Sequence, residues 1–284
     1  MPHVPASELL LPARAEGRAV AAFNLIGIEH AEAIVAGAER AGGPVILAIS
    51  HNCVTWHGAL APIAAATLAI ARASSVPVGV HLDHATSPWL VAEAIELGID
   101  SVMFDASTLD DVLNVETTAE VSSAGHAQGA WIEAELGAVG GKDGVHSATA
   151  RTDPTAAAAY VAATGIDALA VAVGSSHARP TRDAALDLEL VGRLRAAVPV
   201  PLVLHGSSGV PDEGLAAAVR AGLTKVNIAT QLNRVFTAAV RRRLADDPLL
   251  VDPRRYLDAG RDAIADEVAR LIDLLAAPRR QWTI

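Results

Sequence analysis

The chain has 284 residues, 51% hydrophobic but only 3% aromatic, so it can bury a sizeable core made of Ala, Val, Leu and Ile. Its formal net charge of −10, with Arg241-Arg242-Arg243 as the longest basic run, argues against nucleic acid or an anionic membrane as partner. The single cysteine, Cys53, excludes an internal disulfide, and no basic start followed by a long apolar run marks a signal peptide, so a reducing cytoplasm is expected.

In chain order, apolar runs with strand character fall at 19–25, 44–50, 77–83, 101–106, 131–136, 168–173, 201–206 and 225–230. Turn signals such as Gly42-Gly43-Pro44, Gly98-Ile99-Asp100 and Gly165-Ile166-Asp167 precede most of them. Segments 29–41, 88–97, 153–164, 186–197 and 212–221 lie between, with apolar residues at helical spacing. Ser87 and Asp153 fit as N-caps, with Pro88 and Pro154 in the first turn. The apolar stretch 60–71 is too short to span a bilayer and reads as a buried helix.

Eight near-continuous apolar strands alternating with helices predict a parallel sheet closed into a (β/α)8 TIM barrel. The barrel is expected to be one domain over residues 1–284, with a closing helix at about 258–275. An open doubly wound sheet is the alternative, but no Gly-x-Gly-x-x-Gly follows the first strand.

The strands end on Asn24, Ser50, His81/Asp83/His84, Asp105, Glu133/Glu135, His177, His205 and Asn227/Thr230. A barrel assembles its active site from such C-terminal endings. His84, His177 and His205 offer three imidazole nitrogens and can meet around one zinc, leaving a fourth position open. Asp83 stands beside His84 and can move a proton next to the metal. His205-Gly206-Ser207-Ser208-Gly209, Asn227 to Thr230 and Gly174-Ser175-Ser176 bring small residues and hydroxyls to three loops where barrels bind phosphate. Asp105, Glu133 and Glu135 can orient ligands or bind a second cation, and Glu133 is read as structural.

His3, His30, His126 and His146 are read as surface residues, and His51 and His57 as loop residues that line the pocket or pack beside it. The chain has only two lysines, Lys142 in a Gly-rich loop and Lys225, which opens strand eight and so belongs at the opposite face. Neither suits a buried imine, so carbonyl chemistry here calls for a metal electrophile.

With these motifs in place, the chain resembles the class II, zinc-dependent fructose-/tagatose-bisphosphate aldolases. The likeness runs from Ala22-Phe23-Asn24 through His81-Leu82-Asp83-His84, Ser101-Val102-Met103 and Glu133-Ala134-Glu135-Leu136-Gly137. It continues through Thr164-Gly165-Ile166-Asp167, Pro201 to Gly206, Lys225-Val226-Asn227 and Asp252-Pro253-Arg254.

The resemblance implies a lyase of carbohydrate metabolism that reversibly cleaves a ketose phosphate such as fructose 1,6-bisphosphate to dihydroxyacetone phosphate and an aldehyde. It implies one zinc per subunit on His84, His177 and His205, stabilising an ene-diolate, with Asp83 as the acid at the aldehyde oxygen. Asp105 and Glu135 match carboxylates near the metal. Gly206, Ser208, Asn227 and Thr230 match the dihydroxyacetone phosphate subsite, with Asn24, Ser50 and Gly174 as further contacts. Arg254 matches an arginine that reaches the far phosphate, in some relatives from a neighbouring subunit. A monovalent cation often assists, and homodimers or homotetramers are usual.

Three departures bear on this resemblance. The family's Gly-Gly-x-Glu-Asp loop is replaced by Gly140-Gly141-Lys142-Asp143-Gly144, which makes Asp143 the candidate base. Ala178 follows the second zinc histidine where many relatives have Gly, and the loop 50–58 differs from the commoner Gly-rich form. Tagatose 1,6-bisphosphate or a sugar- or inositol-derived phosphate is the alternative substrate. A non-catalytic companion subunit should lack some of Asp83, His84, His177 and His205, and all four are present. A barrel hydrolase tends to bring His-x-His from strand one, which here ends Phe23-Asn24.

Overall fold

A computed structural model describes residues 3–136, 150–175 and 181–276. Eight parallel strands close into a barrel in chain order. They are β1 (Val20–Leu25), β2 (Val45–Ser50), β3 (Val78–Ala85), β4 (Ser101–Phe104), β5 (Trp131–Glu135), β6 (Ala168–Ala170), β7 (Leu202–Leu204) and β8 (Leu223–Ile228). The helices begin with α1 (Ala6–Glu16), α2 (Ile28–Ala41), α3 (His51–His57), α4 (Ala61–Ala73), α5 (Pro88–Glu96) and α6 (Asp111–His126). They continue with α7 (Pro154–Thr164), α8 (Leu188–Ala197), α9 (Asp212–Ala221), α10 (Thr230–Asp246) and α11 (Pro253–Leu275).

The outward residues of each strand, such as Phe23, Leu47, Val80, Val102 and Ile132, form one core with the helix faces. Inward residues such as Ala22, Ile46, Ala168 and Val203 are buried and apolar as well, and burial on both faces explains why the strands read as unbroken apolar runs. The inward residues behave differently along the barrel axis. At the N-terminal end Val20, Ala22 and Ile46 meet Leu9, Leu10 and Ala13, so α1 plugs that mouth. Val4 N–H donates to Val78 O at 3.0 Å and ties the segment before α1 to the sheet.

Ser87 caps α5 by accepting from Leu90 N–H, and Asp153 caps α7 by accepting from Thr155 and Ala156 N–H, as the sequence predicts. The closing helix begins earlier than predicted, at Pro253, because the Asp252 side chain caps it through Arg254 N–H. Helix α6 escapes an apolar periodicity because Asn114, Thr118, Ser122 and Gly125 are among its buried residues. Helix α10 escapes it because Leu232 and Ala239 are its only fully buried residues. His30 corrects the surface reading: it is buried and its ring stacks on Phe236 at 4.8 Å between centroids. Among the described residues, no single helix is long and apolar enough to cross a membrane.

Strands β6 and β7 stop at Ala170 and Leu204, short of the predicted 173 and 206, while β8 starts two residues before the predicted 225. His205 therefore lies just past β7, and Asp105 just past β4, with its N–H still donating to Ala85 O of β3 at 2.8 Å. The early start of β8 makes Lys225 its third residue, on the barrel interior and 1% exposed. It does not lie at the opposite face.

Helix α11 crosses α2 at Gly37. A Cβ there would stand 2.5 Å from Ala265 O and 2.7 Å from Val268 Cβ, so the two backbones touch because the side chain is absent. Overpacking of this kind costs about 1–3 kcal/mol. Gly37→Ala is expected to destabilise the chain by that order, read as a lowered midpoint in chemical unfolding at unchanged slope.

Candidate active site

Strand geometry sends neighbouring side chains to opposite faces. On β3 that rule places His81 and Asp83 inside, and His84 outside. The structure breaks the rule at His84, whose φ of 55° is the one positive value for a non-glycine among the described residues. The β3–β4 register shifts between Leu82 and Ala85, so His84 sits in a bulge. The bulge turns its ring toward His205, and the ring centroids are 4.7 Å apart. A left-handed bulge on a non-glycine residue is a strained arrangement of the sort found at functional sites.

Donor atoms of Asp83, His84 and His205 lie within 4.8 Å of one another, as do those of His84, Asp105 and Glu135. Two imidazoles with buried carboxylates at this spacing fit a divalent metal with nitrogen and oxygen ligands. Each histidine is fixed by a carboxylate. His84 Nδ1 donates to Asp105 Oδ2 at 2.8 Å, which leaves Nε2 to offer a lone pair when the imidazole is neutral. His205 Nε2 donates to Glu133 Oε1 at 3.1 Å, which makes Nδ1 the lone-pair atom. Asp105 is itself held by Ser107, whose Oγ donates to Asp105 Oδ1 at 2.6 Å.

Asp83 is gripped from both sides. Asn24 Nδ2 donates to its Oδ2 at 2.7 Å, and Asn227 Nδ2 to its Oδ1 at 3.1 Å. Burial raises the Asp83 pKa, but His84, His205 and Lys225 outweigh it and hold the carboxyl well below the usual range. Burial lowers His84, and Asp83, Asp105 and Glu135 more than offset it, taking the imidazole up to about 9. Burial and then the Asp105 charge push Glu135 up to about 8. Two carboxylates this close favour a proton or a cation between them.

Asp83 stands where two hollows meet. The larger, about 430 Å³, is lined by Asn24, Ser50, Asp83 and His84, with an outer wall that includes Ile26, Cys53 and Trp56. The smaller, about 30 Å³, is lined by Asp83, His205, Gly206, Ser208, Asn227 and Thr230. Gly206 is left-handed at φ 67° and opens a short 3-10 turn over Ser207–Gly209. The Ser208 hydroxyl is buried and has no protein hydrogen-bond partner among the described residues. A small pocket walled by hydroxyls, an amide and a glycine turn suits a phosphate.

The structure thus gathers Asn24, Ser50, Asp83, His84, Asp105, Glu135, His205, Gly206, Ser208, Asn227 and Thr230 at one end of the barrel. Ser50 has a second duty, because its Oγ caps α3 by accepting from Cys53 N–H at 3.1 Å. Gly174 lies past β6 at φ 107°, where an added Cβ would meet Ala185 O at 2.7 Å, so it serves a tight backbone approach. Arg254 is not on the wall of either hollow: it pairs with Asp252 on α11 and its side chain is 89% exposed. His177, Asp143 and Ala178 lie outside the described residues.

Trp56, Asn52 and Asn233 also line the larger hollow, and sequence reasoning missed them. Asn233 had a signal, since it lies three residues after Thr230 and shares its helix face. Trp56 had none, because α3 was read as a loop. His57 Nε2 bonds Ile26 O at 2.8 Å and packs edge-on against Trp56, so it anchors this wall rather than facing the metal cluster.

The model of the class II fructose-bisphosphate aldolase family matches residues 4–279. The YdjI aldolase from Escherichia coli K12 is 31% identical over 97% of this chain and 98% of that chain, with a TM-score of 0.84. A candidate fructose-1,6-biphosphate aldolase from Coccidioides immitis is 30% identical over 95% of each chain, with a TM-score of 0.84. The fructose-bisphosphate aldolase of Campylobacter jejuni, 23% identical over 96% of this chain and 95% of that chain at a TM-score of 0.83, adds a likeness of fold.

The Asp105 contact generates a direct expectation for metal binding. Loss of a carboxylate behind a ligating histidine costs about 10–100-fold in metal affinity. Asp105→Ala is expected to weaken zinc binding by that factor in competition with a chromogenic chelator, and unchanged affinity would remove Asp105 from the metal's support.

Proposed function

The chain belongs to the class II fructose-bisphosphate aldolase family, and we propose that it reversibly cleaves a ketose phosphate to dihydroxyacetone phosphate and an aldehyde. Fructose 1,6-bisphosphate is the leading substrate. The observation that carries this reading is the position of Asp83, held by two amides between the His84–His205 pair and the two hollows.

His84, His205 and His177 would hold zinc, one ion per subunit, with Asp105 and Glu135 available to a second cation. Zinc held there would supply an electrophile for the carbonyl of the dihydroxyacetone end. Gly206, Ser208, Asn227 and Thr230 take the phosphate of that end in the smaller hollow. Its small volume fixes the phosphate and so the direction in which the sugar chain leaves, toward the larger hollow.

In cleavage, ionised Asp83 accepts the proton of the C4 hydroxyl while the C3–C4 bond breaks and the C4–oxygen double bond forms. In condensation, the same group returns that proton to the aldehyde oxygen. The amides of Asn24 and Asn227 hold the carboxylate in place through both directions. Asp143 is the candidate for the C–H proton of dihydroxyacetone phosphate. The aldehyde half occupies the larger hollow, along Ile26, Cys53 and Trp56, and the unusual segment 50–58, which carries α3, therefore governs substrate choice between fructose, tagatose and other ketose phosphates. Arg254, exposed on its own subunit, would serve a neighbouring copy in a homodimer or homotetramer.

Two outcomes test the reading. Purified protein is expected to cleave a ketose phosphate from a panel of fructose and tagatose bisphosphates, to stop in chelator and to recover with zinc. Full activity in chelator, or none on the whole panel with zinc bound, overturns it. Asp83→Asn is expected to lower kcat by about 10²–10⁴-fold, the usual contribution of a positioned acid/base, with zinc still bound.

A further inference from the structure

One layer below the candidate metal centre, the barrel interior carries charge. His81, Glu133 and Lys225 each lie two residues before a site residue on their strands, namely Asp83, Glu135 and Asn227. All three are buried, at 1%, 0% and 1% exposure. Lys225 Nζ donates to Glu133 Oε2 at 2.6 Å and to His81 Nε2 at 3.2 Å. Because the Lys225 ammonium can only donate, His81 Nε2 accepts and the ring proton lies on Nδ1, which donates to Ser101 Oγ at 2.8 Å. The other oxygen of Glu133 receives the His205 Nε2–H at 3.1 Å. The bonds form one chain: Ser101, His81, Lys225, Glu133, His205.

A lysine and a glutamate sealed inside a barrel are costly in water's absence and persist when each is paired and hydrogen-bonded. The apolar alternative is at hand in this fold, since Met103, Ala168, Ala170 and Val203 fill other inward positions around them. What the charged pair adds is a fixed acceptor for one proton. With Glu133 ionised and immobile, His205 must carry its proton on Nε2 and present Nδ1 to the centre. A neutral or mobile partner would let the imidazole flip or change tautomer.

We infer that Lys225 and Glu133 are positioning residues that lock the tautomer and orientation of His205 through a buried hydrogen-bond chain anchored on His81 and Ser101. This assigns His81, the first histidine of the His81-Leu82-Asp83-His84 motif, the task of holding Lys225. The inference rests on the metal site proposed above, and it concerns ligand geometry rather than the sugar.

The single variant Lys225→Met strands a buried carboxylate and can fail to fold for that reason alone. The deciding protein is therefore the double variant Glu133→Gln with Lys225→Met, which removes both charges together at similar volume. Zinc affinity is read by chelator competition, and the visible spectrum of the cobalt(II) form reports ligand geometry. Neither requires turnover, and thermal unfolding checks that the fold is intact.

The double variant is expected to fold, to bind zinc about 10–100-fold more weakly than the parent, and to show a shifted cobalt spectrum. A folded double variant with parental zinc affinity and an unchanged cobalt spectrum overturns the positioning role and leaves the pair as packing. A double variant that does not fold while Lys225→Met folds with parental zinc affinity and spectrum also overturns it. Failure of the parent itself to bind zinc or cobalt would instead overturn the metal site on which the inference stands.

Discussion

The site depends on the bulge at His84. Alternation along a strand would put Asp83 and His84 on opposite faces of the barrel wall. A shift of register against β4 and a left-handed backbone at His84 bring both to the same end of the interior. The acid/base candidate and a candidate metal ligand are thereby adjacent in sequence and also adjacent in space. The bond from His84 Nδ1 to Asp105, which lies just past the next strand, holds the turned ring where the bulge points it. Backbone strain at this residue is offset by contacts that exist only once β3 and β4 are paired.

Around that turn the barrel interior is graded from apolar to charged. Its N-terminal mouth is closed by α1 against Val20, Ala22 and Ile46. Above the plug comes the Lys225–Glu133–His81 layer, and above that the carboxylates and histidines that face the hollows. The grading has a physical logic. Charged groups at the open end need rigid partners, and those partners need a dry floor so that water does not compete for their hydrogen bonds. The opposed signs within the middle layer also limit the cost of burying either charge.

Much of this was legible in the sequence, and for definite reasons. A parallel strand covered on both faces must be apolar almost throughout, so polar residues concentrate at its end, and the eight endings could be read one by one. Caps such as Ser87 and Asp153 are local hydrogen bonds and do not need the rest of the fold. Helices α6 and α10 were not legible because their inward faces are polar or nearly bare, so no apolar period marks them. Lys225 was misplaced by a strand boundary: two residues of β8 precede it, and they carry it from the mouth into the interior.

The sequence by itself determined the number of strands, the end of the barrel that carries chemistry, and which residue types stand there, because all three follow from short-range pattern and from the burial of both faces of a closed sheet. Only the tertiary structure decided which nitrogen each histidine presents, which carboxylate each one leans on, and that Asp83 and His84 share one space. Those outcomes turn on bonds between residues such as Glu133 and His205, 72 positions apart, and Asn227 and Asp83, 144 apart, which become neighbours only when the barrel closes.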